Sequence, residues 1–324
     1  MNAFEYAMPK SVDEAISLLS DKPGESQVMA GGTDLVTALK QGIVTPKRVV
    51  SLRHIDELNS IQTADGQLRI GAMTALDDIA ANETVQKSFP AIISAIKGIG
   101  SQQITSIGTI GGDLCQLPRD WYFRSGFGLV AQLDGKDLIA DGDNRYHAIF
   151  GNDGPAKFVN ASILAPALIA LGAKATVRGA SGATRDIALE ELFHAPQKSE
   201  EGNTTLAANE IVTSIVIPVG AKKNALYFVK PRHGLDWPLV AAAVAYDVEG
   251  GNAKNVRIVL GHVAPTPWLS ESAAKALEGA VLNEETAAKA GNASAEGASP
   301  LSRNAYKVQL TKVAVKRAIL ATIA

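Results

Sequence analysis

Two pairs of consecutive glycines constrain this chain more than any other feature of its sequence. One pair lies near the centre, in Thr109-Ile110-Gly111-Gly112-Asp113-Leu114, and the other lies upstream, in Met29-Ala30-Gly31-Gly32-Thr33-Asp34-Leu35. Glycine can adopt positive φ and lets the backbone approach a ligand closely, and successive N–H groups in such a turn can converge on an anion. We interpret the two segments as turns that hold one large nucleotide cofactor between them. The alternative is two ordinary tight turns in a chain that has 29 glycines.

The length and composition indicate a globular protein of two domains. The chain has 324 residues, of which 46% are hydrophobic and 20% are charged, and its formal net charge is −2. Domains average roughly 100–200 residues. Because no basic cluster interleaves with aromatic residues, nucleic acid is not an expected partner. The N-terminus lacks the pattern of a signal peptide, and no apolar segment reaches the roughly 20 residues of a membrane helix, so we expect a cytoplasmic protein without a membrane span.

Residues that could carry metal or covalent chemistry are scarce. Cys115 is the single cysteine, which excludes an internal disulfide and any zinc or iron–sulfur site built on cysteines of this chain. The five histidines have no metal-binding spacing, and the fingerprints of Rossmann sites, P-loops and serine hydrolases are absent. No pair of carboxylates stands out as an acid/base couple. Turns that could hold a nucleotide, without an obvious catalytic side chain, favour a flavoprotein, in which the cofactor carries the redox chemistry.

The order of the predicted elements indicates an α+β protein. The first glycine pair follows a predicted strand over 27–30 and precedes a predicted helix over 33–40, whereas residues 117–160 lack periodicity and predict an irregular insertion. After about residue 222, three long strands are followed by three helices, which predicts a C-terminal domain. The basic residues of the last helix predict a stripe that faces solvent or another subunit: Arg303, Lys307, Lys312, Lys316 and Arg317.

Three segments in order resemble the FAD-binding, or medium, subunits of molybdenum hydroxylases, such as those of carbon monoxide dehydrogenase, 4-hydroxybenzoyl-CoA reductase and bacterial xanthine dehydrogenases. The segments are residues 30–35, residues 109–114, and Glu210-Ile211-Val212 followed by Ile217-Pro218. The resemblance implies the flavin-binding fold shared with vanillyl-alcohol oxidase and xanthine oxidase. In that fold two α+β subdomains, about 1–57 and 58–221, clasp FAD, and residues 222–324 form an α+β domain with a three-stranded sheet and helices.

The resemblance also implies which residues contact FAD. Backbone N–H groups of the first glycine segment would wrap the pyrophosphate, the second segment would form another clasp, and further contacts would come from single residues elsewhere. Each has a structural alternative: Ile99 and Trp237 could be core residues, and Lys230 could be a lysine at a strand edge. The implied contacts are Val28, Met29, Ala30, Gly31, Gly32, Thr33, Asp34, Leu35, Ile99, Gln103, Thr109, Ile110, Gly111, Gly112, Asp113, Ser162, Val212, Lys230 and Trp237.

The sequence departs from the family pattern at three places. Asp113 replaces the asparagine commonest in relatives, and Ser162 lies where relatives carry an acid before the helix that starts at Ala165. Ser162 either serves the ribityl hydroxyls instead or leaves that contact unmade. The insertion at 117–160 resembles in position the segment that holds a [4Fe–4S] cluster in 4-hydroxybenzoyl-CoA reductase. It contains no cysteine, so we expect no such cluster on this chain.

The function implied by the resemblance is electron transfer within a multisubunit enzyme. A large subunit would hold molybdopterin, a small subunit would hold two [2Fe–2S] centres, and FAD on this chain would pass electrons to NAD⁺ or another acceptor. The assembly could be a dimer of such heterotrimers, and no side chain of this chain is expected to be catalytic. Two alternatives stay open: a stand-alone FAD oxidoreductase of the same fold, and a scaffold subunit without cofactor.

Overall fold

The computed structural model describes residues 1–220, 222–232 and 234–323. Three residues lie outside these ranges: residue 221 at the predicted domain boundary, His233, which is one of the five histidines, and residue 324. The strands are β1 (Glu5–Ala7), β2 (Ser26–Met29), β3 (Arg48–Ser51), β4 (Ile61–Ala64), β5 (Gln67–Gly71), β6 (Gln132–Leu133), β7 (Lys136–Asp137), β8 (Lys174–Arg178), β9 (Thr184–Ala188), β10 (Ile211–Pro218), β11 (Lys223–Val229), β12 (Val240–Glu249), β13 (Asn252–Gly261) and β14 (Trp268–Leu269). The α-helices are α1 (Val12–Ser17), α2 (Leu35–Gln41), α3 (Leu76–Ala81), α4 (Glu83–Ser88), α5 (Pro90–Ile99), α6 (Gln102–Thr105), α7 (Ile110–Leu114), α8 (Trp121–Arg124), α9 (Ala165–Ala170), α10 (Glu271–Leu277), α11 (Glu284–Ala293) and α12 (Tyr306–Leu320).

The N-terminal part of the chain is built on a parallel sheet of three strands in the order β1-β3-β2. Helix α1 packs Val12 and Ile16 into one hydrophobic cluster with Val50 of β3. The first glycine pair lies between the end of β2 and the start of α2. The sheet therefore places this pair at the carboxyl edge of its strands, where α/β sheets commonly bind ligands.

An antiparallel sheet of order β4-β5-β10-β8-β9 forms the core of the following segment. Residues from β5, α5 and α9, including Ile70, Ile92 and Leu168, share its main hydrophobic cluster. The sequence did not predict β4 and β9. Most of their residues are exposed, so neither strand carries the apolar alternation that identifies a half-buried strand.

The C-terminal sheet has the order β11-β12-β13-β14. The three long strands were predicted, and β14 adds a short fourth strand paired with β13. Strand β12 is buried on both faces: Ala243 and Ala245 belong to the cluster of the preceding sheet, while Ala242 and Val244 belong to the cluster beneath α10–α12. Small residues fill β12 because two layers pack on it at once, and the polar alternation of a one-sided strand is absent.

The insertion at 117–160 joins these two regions. It contains α8 and the β6–β7 hairpin and is otherwise irregular in the described chain, as the sequence predicted. Its later residues Ile149 and Phe150 pack in the C-terminal cluster, and the Ile149 N–H donates to the Val263 carbonyl at 2.8 Å. The insertion is therefore part of the contact between the two regions. No helix in the ranges described is both long and apolar enough to span a membrane.

One residue of the basic stripe on helix α12 does not lie where the sequence predicted. Lys307 is not on an outer face: it is 1% exposed, and its Nζ donates to the carbonyls of Tyr146, His147 and His262 at 3.3, 3.1 and 2.6 Å. Burial lowers the pKa of Lys307 to about 7. The sequence could not reveal this position, because the three carbonyl acceptors come from distant segments of the chain.

Candidate functional site

Two adjoining clefts lie between the glycine segments. The first, of about 190 Å³, is bounded by the loop that follows β2, by α7 and by the start of β10. The second, also about 190 Å³, continues towards Ile99, Lys230 and Trp237. The two clefts form one elongated groove because they share five lining residues: Thr33, Asp34, Thr109, Gly112 and Gln116.

The first glycine pair forms an open loop of backbone donors. Gly32 has φ +75°, a conformation that residues with a Cβ rarely adopt. Gly31 has ordinary φ, but a Cβ there would overlap the Ile107 carbonyl oxygen. Within the described chain, the N–H groups of Gly31, Gly32, Thr33 and Asp34 have no acceptor. Four successive free N–H groups beside a cleft form a binding surface for an anion.

The Asp34 side chain fixes this loop to the insertion instead of capping α2. It accepts a hydrogen bond from the Leu117 N–H at 2.9 Å and pairs with Arg124 at 2.8 Å and Arg119 at 3.3 Å. Two guanidinium groups against one carboxylate leave a net positive charge next to the free N–H groups. This charge balance favours a bound phosphate group.

The second glycine pair has a different structure from the predicted turn. Gly111 and Gly112 lie in the short helix α7, which begins at Ile110 after the N-cap Thr109, and neither has positive φ. Their N–H groups are bonded within the protein, from Gly111 to the Ala72 carbonyl at 2.9 Å and from Gly112 to the Thr109 Oγ1 at 3.1 Å. At position 111 glycine allows two backbone segments to lie close together, because a Cβ on Gly111 would lie 2.9 Å from the Ala72 carbonyl oxygen. This pair therefore contributes a smooth wall to the groove and no free donors.

Asp113 and Ser162 bind each other beneath the groove. The Ser162 hydroxyl donates to the Asp113 carboxylate and accepts from the Ala165 N–H. The same carboxylate accepts from the Leu164 N–H and from the Gln116 amide, both at 3.0 Å. Burial raises the pKa of Asp113, against the opposing effect of these hydrogen bonds. The pair anchors the start of α9 to α7, so the Ser162 hydroxyl already has both its partners within the protein.

The second cleft brings together residues that are far apart in sequence. Ile99 at the end of α5, Lys230 after β11, and Trp237 all line it. The Lys230 Nζ donates to the carbonyls of Gly98 and Gly234, the latter at 3.2 Å, and burial lowers its pKa. The Arg119 guanidinium lies 4.9 Å from the centre of the Trp237 ring. The lysine therefore holds the end of α5 at the cleft, a role that a simple strand-edge lysine would not have.

Most of the implied contact residues line the groove. Those in the first cleft include Val28, Ala30, Leu35, Gly111 and Val212, and Asp113 lines the second. Four do not line either cleft: Met29, Gln103, Ile110 and Ser162. Ile110 is fully buried, and Gln103 is exposed.

Sequence reasoning missed several residues that line the groove. Gln116 lies two residues after Leu114, and a glutamine at this position carries no signal of its own that marks it as a contact. Arg119 gives no local signal, because its partner Asp34 is 85 residues earlier in the chain. Leu206 and Ile104 are single apolar residues in irregular or short helical segments. In the described residues, no group of three or more His, Cys, Asp or Glu could hold a metal ion.

The arrangement of the groove fits FAD. A flavin dinucleotide needs donors for its pyrophosphate and an apolar space on each side for its two ring systems. The free N–H groups end at Thr33 and Asp34, which both clefts share. Apolar residues then line each side, with Val28 and Ile211 in the first cleft and Ile99 and Trp237 in the second. The fold and the groove together define a protein that binds a cofactor of the dinucleotide type.

Comparison with known proteins identifies the family. The chain matches the profile of the FAD-binding domain in molybdopterin dehydrogenases over residues 2–220 and that of the carbon monoxide dehydrogenase flavoprotein C-terminal domain over residues 225–322. It is 29% identical to the carbon monoxide dehydrogenase medium chain of Hydrogenophaga pseudoflava, over 98% of this chain and 96% of that protein. It is 28% identical to the aldehyde oxidoreductase FAD-binding subunit of Escherichia coli, over 96% of each.

Solved structures agree with the sequence comparison. Carbon monoxide dehydrogenase from Hydrogenophaga pseudoflava, in a form lacking the Mo-pyranopterin moiety, matches with a TM-score of 0.78 and 28% identity, over 99% of this chain and 98% of that chain. Quinoline 2-oxidoreductase from Pseudomonas putida matches with a TM-score of 0.76 and 25% identity, over 99% and 97%. The chain therefore belongs to the FAD-binding subunits of the molybdenum hydroxylases. The predicted α+β fold, FAD as cofactor and the oxidoreductase class are confirmed.

Proposed function

We propose that this chain is the electron-transfer subunit of a molybdenum-dependent dehydrogenase or hydroxylase. Electrons would reach its FAD from [2Fe–2S] centres on a small subunit and would leave to NAD⁺ or another acceptor. The substrate would react at a molybdopterin centre on a large subunit. The observation that carries this proposal is the row of four free N–H groups in the middle of a groove with apolar ends.

Each part of the groove has a defined task in this proposal. FAD supplies reversible redox chemistry at its isoalloxazine ring when it is bound. The loop at Gly31–Asp34 holds the pyrophosphate through its N–H groups, and Arg119 and Arg124 balance the charge. Helix α7 lets the cofactor lie close to the backbone, while Lys230 and Trp237 line the second cleft. None of these residues needs to act as an acid or base, because the chain positions a cofactor that carries the reaction.

The assembly and the domain limits belong to the same proposal. We infer that residues 1–221 form the FAD-binding domain, with subdomains at about 1–57 and 58–221, and that residues 222–324 form the C-terminal domain. The two family profiles meet near this boundary. We also infer a complex with the large and small subunits, with a dimer of heterotrimers as one candidate assembly. A single cysteine suits the reducing cytoplasm.

A pull-down from the native host tests the proposal most directly. The tagged chain would be purified with its partners, and the eluate would be analysed by absorbance spectroscopy and metal analysis. A flavin spectrum together with a molybdenum-containing large subunit and an iron–sulfur small subunit is expected. FAD on a chain without partners would favour a stand-alone oxidoreductase. Neither flavin nor partners would contradict both enzyme functions.

A further inference from the structure

Strand β11 is the longest edge strand in the described part of the chain. It lies at one end of the C-terminal sheet and pairs with β12 alone. It has seven residues, whereas the other edge strands described have two to five. Every second residue of an edge strand directs its N–H and C=O groups away from the sheet. Apart from the ladder with β12, one backbone hydrogen bond reaches β11 within the described residues, from the Leu239 N–H to the Val229 carbonyl, so the outer edge is open.

This edge lacks the features that protect most edge strands from pairing with another chain. Natural proteins shorten edge strands, bend them with a bulge, or place charged residues and proline in them. Strand β11 pairs with β12 in an unbroken register of seven residues, and residues 225–229 are all apolar or aromatic. The edge strand β9, by contrast, begins with the exposed residues Thr184, Arg185 and Asp186. A long, flat and apolar edge of this kind indicates a strand that another chain covers.

A cavity of about 460 Å³, the edge groove, lies beside the last part of β11. It is formed by residues 226–232 together with Lys97, Gly98, Gly100 and Gly234. A Cβ on Gly98 would overlap the Phe228 ring, so glycine lets the end of α5 lie directly against the strand. The groove therefore offers apolar and aromatic side chains of β11 next to its open backbone.

The edge groove is positively charged. Lys97, Lys230 and Arg232 line it, and no acidic residue of the described chain does so. Arg232 is already in an ion pair, whereas Lys97 is exposed and has no carboxylate partner within the described ranges. Next to β11 on α12, the exposed Arg317 donates to the Tyr227 hydroxyl at 2.9 Å and likewise has no described carboxylate partner. The charge beside the edge is complementary to carboxylates of a partner.

We propose that the open edge of β11 binds an extended segment of a partner subunit, which adds a fifth strand to the C-terminal sheet and directs acidic side chains towards Lys97 and Arg317. Backbone hydrogen bonds give strand addition its affinity, and the side chains beside the edge give it specificity. This inference rests on the proposed function, because it needs a complex with other subunits. The edge groove shares Gly98 and Lys230 with the second cleft, so the added segment lies next to the flavin groove.

Hydrogen–deuterium exchange tests whether the edge is covered. The complex purified from the native host is compared with the full chain loaded with FAD alone, and the peptides that span residues 223–229 are followed by mass spectrometry. The outward N–H groups should exchange about tenfold or more slowly in the complex, because each gains an acceptor on the added strand. Strand β4, an edge strand with mostly exposed residues, is the internal control and should exchange equally in both samples.

A double charge reversal tests the acidic character of the segment. Lys97→Glu with Arg317→Glu should release the partner subunits from the tagged chain at about half the salt concentration that wild type requires, because repulsion adds to screening. The matched control is Lys174→Glu with Lys289→Glu, at two exposed positions on β8 and α11, which should behave as wild type. FAD per chain and circular dichroism should stay unchanged in both double variants, since none of these residues lines the flavin groove.

The outcomes separate this inference from the proposed function. A chain that recovers no partner subunits contradicts the proposed function and, with it, the occupant proposed for β11. A complex in which β11 exchanges as fast as in the chain alone overturns the inference and leaves the proposed function intact. Release at the same salt concentration from both double variants refutes the acidic segment. Slower exchange of β11 in the chain alone at higher protein concentration would also overturn the inference and would assign the edge to a second copy of this chain.

Discussion

The two glycine pairs look alike in sequence and have different roles in the structure. The pair at Gly31–Gly32 forms an open loop whose N–H groups have no acceptor in the described chain. The pair at Gly111–Gly112 lies in a helix, and its N–H groups are bonded to Ala72 and Thr109. The first pair therefore offers donors to a ligand, and the second offers only the absence of side chains. The repeated motif therefore predicted two segments that line the groove, but not the different roles of their N–H groups.

The difference arises from the residues that flank each pair. After Gly32, which has positive φ, the Asp34 side chain turns away to Arg124. Before Gly111 the Thr109 Oγ1 caps the helix and accepts from Gly112. A good N-cap satisfies one of the orphan donors at a helix start, so capping at the second pair removes a free donor of the kind that the first pair keeps.

The largest effect is expected from Gly31→Ala. The new Cβ would overlap the Ile107 carbonyl and push the loop away from the segment that leads to α7. Overpacking typically costs about 1–3 kcal/mol, and we expect the upper end because the obstacle is backbone. FAD per chain, measured from flavin absorbance, should fall about tenfold or more, the equivalent of about 1.4 kcal/mol. Gly202→Ala, which meets only ordinary contacts, is the control, and equal FAD content in both variants would refute the close approach.

The second prediction concerns Asp113 and Ser162 as a pair. Asp113→Asn turns an amide towards N–H donors and should lower the free energy of unfolding by about 1–3 kcal/mol. Ser162→Asp alone places two carboxylates together in a buried site and should also destabilise. The double variant places an amide at position 113 and an acid at position 162, so that one carboxylate again faces one uncharged partner. Urea unfolding of all four proteins should give a favourable coupling of about 1 kcal/mol or more, and strict additivity would contradict the pairing.

The pH dependence of the same series sharpens this test. Because burial raises the pKa of Asp113, the native state binds more protons than the unfolded state above the ordinary value of 3.8. The stability that Asp113 contributes is therefore fully present below that value and declines as the pH rises through the raised one. The stability gap between wild type and Asp113→Asn should narrow with rising pH, and a gap that widens would contradict the direction of the shift.

Gly112→Ala should lower the affinity of the chain for FAD without lowering its stability. Its Cβ would lie 3.1 Å from the Thr109 Oγ1 and 3.6 Å from the Ala30 Cβ, at the wall shared by both clefts. Alanine is better than glycine in a helix by about 1 kcal/mol, which offsets the crowding. We expect the unfolding midpoint of the FAD-free chain to stay near wild type while the Kd for FAD, from flavin fluorescence, rises about tenfold. Loss of stability with unchanged Kd would place this glycine in the scaffold instead.

The smallest effect is expected from Thr109→Val, which keeps the shape of the side chain and removes the cap. The Gly112 N–H loses its acceptor, and a lost N-cap costs about 1 kcal/mol. Thr109→Ser keeps an oxygen at the same position and is the matched control. Thermal unfolding should rank wild type and Thr109→Ser above Thr109→Val, and three equal midpoints would show that the cap contributes nothing.

The outline of the fold could be predicted from the sequence because it depends on local patterns. The strand before Gly31, the helix after it and the three long C-terminal strands are all encoded in runs of neighbouring residues. The edge strands β4 and β9 were missed, since exposed strands carry little apolar alternation. Ordered motifs spread over the chain also sufficed to identify the family and its cofactor.

The sequence by itself therefore determined the family, FAD as the cofactor and the loop at Gly31–Gly32 as its expected cradle. Only the tertiary structure decided that Gly111–Gly112 is a capped helix, that Asp113 binds Ser162, and that Lys307 lies buried beneath His147 and His262. Short-range preferences are encoded in adjacent residues, whereas the role of a buried polar group depends on acceptors and donors that folding brings from elsewhere. The groove is made of such long-range pairings.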